Sequence, residues 1–174
     1  MNEALGDSIA NKTDVNNQQI AEFQYNRHLK ALGVTQLRTE PTPEHRKMCY
    51  DACIYEEGKW TGVIEIRSVN YRIDQIESFG GFMIDVNKMT ALRKQFYCTS
   101  EITGKSFWSK EVVFLFRCVK DNTLWATNIR RLAGVWNDLE DVPTERLKND
   151  HGAEANKTKL AGKLIPPAMM ERIE

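Results

Sequence analysis

Residues Tyr50–Arg67, YDACIYEEGKWTGVIEIR, read as two strands joined by a turn. Tyr50–Tyr55 is rich in aromatic and β-branched residues, Glu56-Glu57-Gly58-Lys59 has turn composition, and Trp60–Val69 runs extended again. Asp51 opens the first strand. Glu65 and Arg67 stand two apart on the second, so the period of a strand points both to one face, together with Val63 and Val69. Ile64 and Ile66 point to the other. A carboxylate and a guanidinium within an apolar strand are costly to bury unless they are paired or bound to a cation.

Around this hairpin the chain alternates helical and extended patterns. Residues 1–17 are polar, with few large apolar groups, and are expected to form a mobile tail ahead of a single domain spanning 18–174. From Gln18 the spacing of Ala21, Tyr25, Leu29 and Leu32 is helical, with Gly33 at the C-cap position. Glu22 borders that apolar stripe. It is either a solvated helix residue or an acid leaning over Asp51 and Glu65. Val34 to Lys47, with Pro41 and Pro43, reads as a connector.

Beyond the hairpin, Ser68–Ser78 is polar, and Gly80-Gly81 opens a short strand, Phe82-Met83-Ile84. Asp85 is a good N-cap for a helix whose buried stripe is Met89, Leu92 and Phe96. Lys88 falls in the first turn of that helix, where a cation works against the dipole, so its placement asks for a reason. Thr99 to Lys110 looks like a loop or hairpin tip around Thr103-Gly104-Lys105. Glu111–Lys120 holds the apolar run Val112-Val113-Phe114-Leu115-Phe116 of a strand buried on both faces, and Leu124–Ile129 pairs antiparallel to it. After Arg130-Arg131 the chain turns charged and turn-rich, and it is expected to form an irregular C-terminal extension ending in the extended Leu164-Ile165-Pro166-Pro167.

Composition narrows the function classes. The 174 residues carry a formal net charge of zero. A dedicated non-specific nucleic-acid binder is usually basic, so any such site must be a local patch. Arg130, Arg131, Lys105 and Lys110 are candidates for phosphate contact, although charge runs are more often solvated faces. No apolar run of about 18 residues and no signal-peptide pattern is present, which points to a cytoplasmic protein without a membrane partner. Cys49, Cys53, Cys98 and Cys118 lack a CxxC spacing and read as reduced thiols, three of them in strands. His151, an isolated histidine in a loop, supports neither a metal nor a base role.

The order helix, strand, turn, strand, short strand, helix, two strands resembles the αβββαβ core of the PD-(D/E)xK, restriction-endonuclease-like nucleases. The resemblance rests on Tyr50-Asp51, on Gly62-Val63-Ile64-Glu65-Ile66-Arg67, and on Phe82-Met83-Ile84-Asp85-Val86-Asn87-Lys88. More narrowly, the chain is similar to small bacteriophage nucleases of that class, with Asn149-Asp150-His151-Gly152 and Ile165-Pro166 as a weak closing segment. The resemblance covers about residues 18–167. It implies an α/β (α+β) fold, a central mixed sheet flanked by the Gln18–Leu32 and Val86–Phe96 helices.

The resemblance also implies Mg²⁺ or Mn²⁺ held by Asp51, Glu65 and the Ile66 carbonyl, with Glu22 as an additional acid, and hydrolysis of phosphodiester bonds in DNA. Some nucleases of the class carry an iron–sulfur cluster, which nothing in the cysteine spacing favours. The family's lysine position is Arg67 here. Arginine stays protonated and cannot take a proton from water, but it can stabilise phosphate charge. Lys88 is the second candidate for the lysine role, since in this class it can be carried on the following helix. Against this stand three plainer readings: an Asp51–Arg67 ion pair that tidies a strand end, a solvated Lys88, and a fold whose catalysis has lapsed. A lapsed fold would serve as a binding module or an inhibitor of a host defence or nucleic-acid-processing complex. On either reading the partners beside DNA are a second copy of the chain or a host or phage protein, in the host cytoplasm if the chain is phage-encoded.

Overall fold

In the computed structural model, which describes residues 3–32, 38–41, 49–143 and 160–173, the central hairpin pairs β2 (Ala52–Glu56) with β3 (Lys59–Val69). The register runs from Ala52↔Ile64 to Glu56↔Lys59, so the loop is the two residues Glu57 and Gly58. Both have positive φ, 50° and 76°, which is the turn whose twist matches that of paired strands. On its other side β3 runs parallel to β7 (Glu111–Cys118), with Glu65 opposite Phe114. Gly62 permits that approach, because a Cβ there would lie 2.9 Å from the Glu111 carbonyl oxygen.

The six-stranded sheet has the order β1-β2-β3-β7-β8-β11, where β1 is Arg38–Pro41, β8 is Thr123–Asn128 and β11 is Glu171–Ile173. β3 and β7 are the parallel pair within an otherwise antiparallel sheet, so this is a mixed α/β fold. α1 (Glu3–Ala31) covers one face, placing Ala21 against Ile54, Ile64, Val113 and Leu115. α3 (Val86–Phe96) and α4 (Ile129–Ala133) cover the other, packing Leu92, Phe96 and Leu132 around Val63, Val112, Phe114 and Phe116. β7 is buried on both faces as its apolar run predicts; only Glu111 at its start is exposed.

Several elements differ from the sequence expectations. α1 begins at Glu3 rather than Gln18. Asn17, which looked like tail, is buried and accepts a hydrogen bond from the guanidinium of Arg117 on β7. The connector contributes β1, and Pro41 is tolerated there because β1 is an edge strand. The polar segment after β3 contains α2 (Ile73–Ser78), which buries Ile76. β4 (Phe82–Asp85), expected as the third strand of the core, lies outside the central sheet; β1 completes the antiparallel run with β2 and β3 instead.

β4 pairs with β10 (Leu160–Ile165), which also pairs with β9 (Asp141–Pro143), so the C-terminal stretch supplies a second sheet as well as β11. Its polar look misled because Lys163 is buried with its charge satisfied, 2.7 Å from Asp141 Oδ1 and 3.1 Å from the Leu139 carbonyl. No helix among the described residues is long and apolar enough to cross a membrane. All four cysteines are free thiols, and Cys53, Cys98 and Cys118 do lie in strands. Pro43 and the Asn149–Gly152 segment, including His151, lie outside the described residues.

Candidate metal and phosphate site

Asp51 sits just before β2, and its N–H donates to the Ile64 carbonyl at 2.8 Å, which continues the ladder by one residue. That extension sets Asp51 opposite Glu65. Its carboxylate Oδ2 accepts from the Ile66 N–H at 2.8 Å. Within a strand a residue's N–H and C=O point to the same side. The Ile66 carbonyl therefore faces the edge that β2 vacates, beside Asp51.

Glu65 is only 6 % exposed and lies on the α3 side of the sheet. Lys88 Nζ stands 2.9 Å from Glu65 Oε2, an ion pair at the edge of the buried core. Burial, and then the nearby Asp51 charge, push the Glu65 carboxyl up to about 7; Lys88 and Arg67 pull against that rise. Desolvation thus outweighs both cations.

The Lys88 placement is explained here. Asp85 caps α3 by accepting from the N–H groups of Asn87 (2.7 Å) and Lys88 (3.4 Å), which fixes the first turn over β3. The cation disfavoured by the dipole is held by Glu65, so the solvated reading of Lys88 is corrected.

Glu22 feels the charge of the site. It is half-buried on α1, its Oε1 accepts from Gln18 Nε2 at 3.4 Å, and burial raises its pKa with a further contribution from Asp51. The Asp51 charge thus raises the pKa of both Glu22 and Glu65, although the three do not gather into a metal-holding group. Arg67 is half-buried and makes no salt bridge with Asp51, so the tidy-strand-end reading is corrected too. Arg67 lines a cleft of about 260 Å³ with Gln18, Ile66 and Ser68, at the edge where the Ile66 carbonyl faces out.

Gln18 and Ser68 were missed in the sequence. The one signal for Gln18 was its position a helical turn before Glu22. Other predicted candidates are not brought here. Arg130 is exposed on α4, and Arg131 donates to the Met169 carbonyl. Lys110 turns inward over the Trp60 ring and donates to the Trp60 carbonyl at 2.6 Å. Lys105 is exposed at a hairpin tip.

Among the described residues no group of three or more His, Cys, Asp or Glu side chains is arranged to hold a metal ion. A cation at this site would therefore need main-chain oxygen as well as Asp51 and Glu65. No protein-family model matches the chain, and no curated protein matches it.

Proposed function

We propose that this chain is a divalent-metal-dependent nuclease of the PD-(D/E)xK, restriction-endonuclease-like class, hydrolysing phosphodiester bonds in DNA. The observation that carries the reading is Glu65: a buried carboxylate opposed by the Asp51 charge and paired with Lys88. Two carboxylates in repulsion gain most from a shared cation, and two carboxylates plus a carbonyl are the hard oxygen donors that Mg²⁺ and Mn²⁺ prefer. The topology is compatible: a helix, a three-strand antiparallel run, a helix, and a strand parallel to the hairpin's second member.

Asp51, Glu65 and the Ile66 carbonyl would hold Mg²⁺ or Mn²⁺, with Glu22 behind Asp51. When bound, such an ion polarises a phosphate and acidifies a neighbouring water. The rest falls to side chains. Lys88 keeps Glu65 partly ionised and offers its remaining N–H groups to phosphate charge. Arg67, permanently charged, serves the same charge without exchanging a proton. Gln18 and Ser68 border the cleft through which a strand would approach.

A second reading, a fold whose catalysis has lapsed and which now only binds a partner, is favoured by one observation: the lysine position holds Arg67, while Lys88 is already engaged with Glu65. Assay of wild type and Arg67→Lys on duplex and single-stranded DNA with Mg²⁺ and Mn²⁺ separates the two. An enzyme cuts in wild type and keeps or gains rate with lysine. A lapsed fold is inert in wild type with either ion.

A further inference from the structure

Lys88 and Met89 are neighbours on α3 that serve different places. Lys88 meets Glu65, whereas Met89 lines a cavity of about 190 Å³ that shares no lining residue with the carboxylate site. Its floor is the buried pair Ile129 and Leu132 of α4. Its walls are aromatic. Tyr97 opens β5 (Tyr97–Thr99) and Trp108 closes β6 (Ser106–Trp108), and the two pair across the strands with ring centroids 5.2 Å apart. Trp136, in the 3₁₀ turn Trp136–Asp138, is backed by the buried Lys163, 5.9 Å from its ring centroid.

Aromatic side chains beside a core ordinarily just extend it, and Trp108 and Trp136 do pack against the α3-side core. Their indole N–H groups set them apart. A tryptophan tucked into a fold usually gives its N–H to a protein acceptor. Trp60 and Trp125, which do not line the cavity, follow that rule: they donate to the Gly62 carbonyl (2.8 Å) and the Thr123 hydroxyl (3.1 Å). The two tryptophans of the cavity have no protein acceptor among the described residues, and neither has the amide of Asn137 at its rim.

The charge at the cavity is of one sign. The Arg93 guanidinium stands 4.9 Å over the Tyr97 ring and makes no ion pair among the described residues. A guanidinium stacked in this way keeps its N–H fork for an anion. Among the described residues no carboxylate lines the cavity; Asp138, next along the chain from Asn137, is exposed and outside the lining. Ring faces, N–H donors and one cation together suit a planar, acceptor-rich group that carries negative charge.

We propose that this cavity binds a nucleotide, its base against Tyr97, Trp108 and Trp136, its ring acceptors on the indole and amide N–H groups, and its phosphate on Arg93. Any base stacks on aromatic side chains, and a base lifted from its strand is read through hydrogen bonds to its edge. At about 190 Å³ the cavity falls short of the ~300 Å³ at which pockets for drug-sized ligands begin, so it takes one base rather than a stacked pair. The nucleotide has two sources, a free mononucleotide or one unit of a strand. The strand source rests on the nuclease reading, with a substrate engaged near Lys88 reaching the cavity along α3.

The test is calorimetric titration of the full chain, in chelator, with deoxyadenosine monophosphate, deoxyadenosine, inorganic phosphate and a short single-stranded oligonucleotide. Arg93→Gln should weaken the mononucleotide about tenfold and abolish its advantage over the nucleoside. Trp108→Phe with Trp136→Phe keeps the walls, removes both N–H donors, and should weaken both by about tenfold. Mononucleotide binding with these losses assigns the free source; oligonucleotide binding alone, with the same losses, assigns the strand. Wild type that binds neither at about 1 mM, or variants that bind both as wild type does, would overturn the proposal. So would phosphate binding as tightly as the mononucleotide, which would leave an anion site without a base. Variant-sensitive binding in a protein that does not cut DNA with Mn²⁺ keeps the cavity and removes the nuclease reading. Cutting without variant-sensitive binding does the reverse.

Discussion

Lys88 Nζ lies 2.9 Å from Glu65 Oε2, yet the Glu65 carboxyl still titrates near 7, because burial and Asp51 oppose its charge more strongly than Lys88 supports it. The folded protein therefore holds a proton on Glu65 that the unfolded chain has already lost. Between the ordinary value of 4.5 and about 7, metal-free stability should fall as pH rises, by an amount on the order of 3 kcal/mol across the window. Denaturant titrations in chelator of wild type and Glu65→Gln check this. The wild type should lose stability relative to the variant as pH rises through 7; a difference that does not change with pH would contradict it.

A divalent cation should act in the opposite sense. Binding to Asp51 and Glu65 displaces the proton, so Mg²⁺ or Mn²⁺ should stabilise the fold more above pH 7 than well below it. At roughly a hundredfold excess over its dissociation constant, the ion should raise the melting temperature by about 5–10 °C. Asp51→Ala should remove the rise while keeping the fold. The melting temperature with and without the ion, in both proteins, is the measurement.

Lys88→Ala should lower any cleavage rate by about a hundredfold or more, as for loss of a positioned charge. It should also raise the pH needed to ionise Glu65, because the nearest supporting cation is gone. A pH–rate profile separates this from mere misfolding: the alkaline shift should be seen only in Lys88→Ala. Asp85→Ala is expected to cost about 0.5–2 kcal/mol of stability by uncapping α3, with a smaller loss of rate, since it loosens Lys88 without deleting it.

Much of the local structure was legible in the sequence, for physical reasons that can be named. Glu57-Gly58 is a turn whose two positive φ values fix the hairpin register, and register alone places Asp51 opposite Glu65. Asp85 with the Met89, Leu92, Phe96 stripe gave α3 to the residue. What stayed hidden depends on distant partners. Residues 3–17 are polar and looked unable to order themselves, while the burial of Asn17 on Arg117 joins positions a hundred residues apart. The charged C-terminal stretch was expected to be irregular, yet it forms β10, whose Lys163 is buried against Asp141 and the Leu139 carbonyl. At the site, Glu65 and Asp51 were visible as acids in strands. Which charge wins at Glu65 was not, because that is decided by burial between α3 and the sheet.

Cleavage of end-labelled DNA by purified wild type and Asp51→Ala, over a Mn²⁺ titration and with chelator, tests the central claim most directly. Wild type should cut in proportion to site occupancy and stop when the ion is removed, while folded Asp51→Ala should be inert at every Mn²⁺ concentration. Cutting by Asp51→Ala at the wild-type rate, or a wild type inert with Mg²⁺ and Mn²⁺ alike, would contradict the assignment of Asp51, Glu65 and Ile66 as a catalytic metal site.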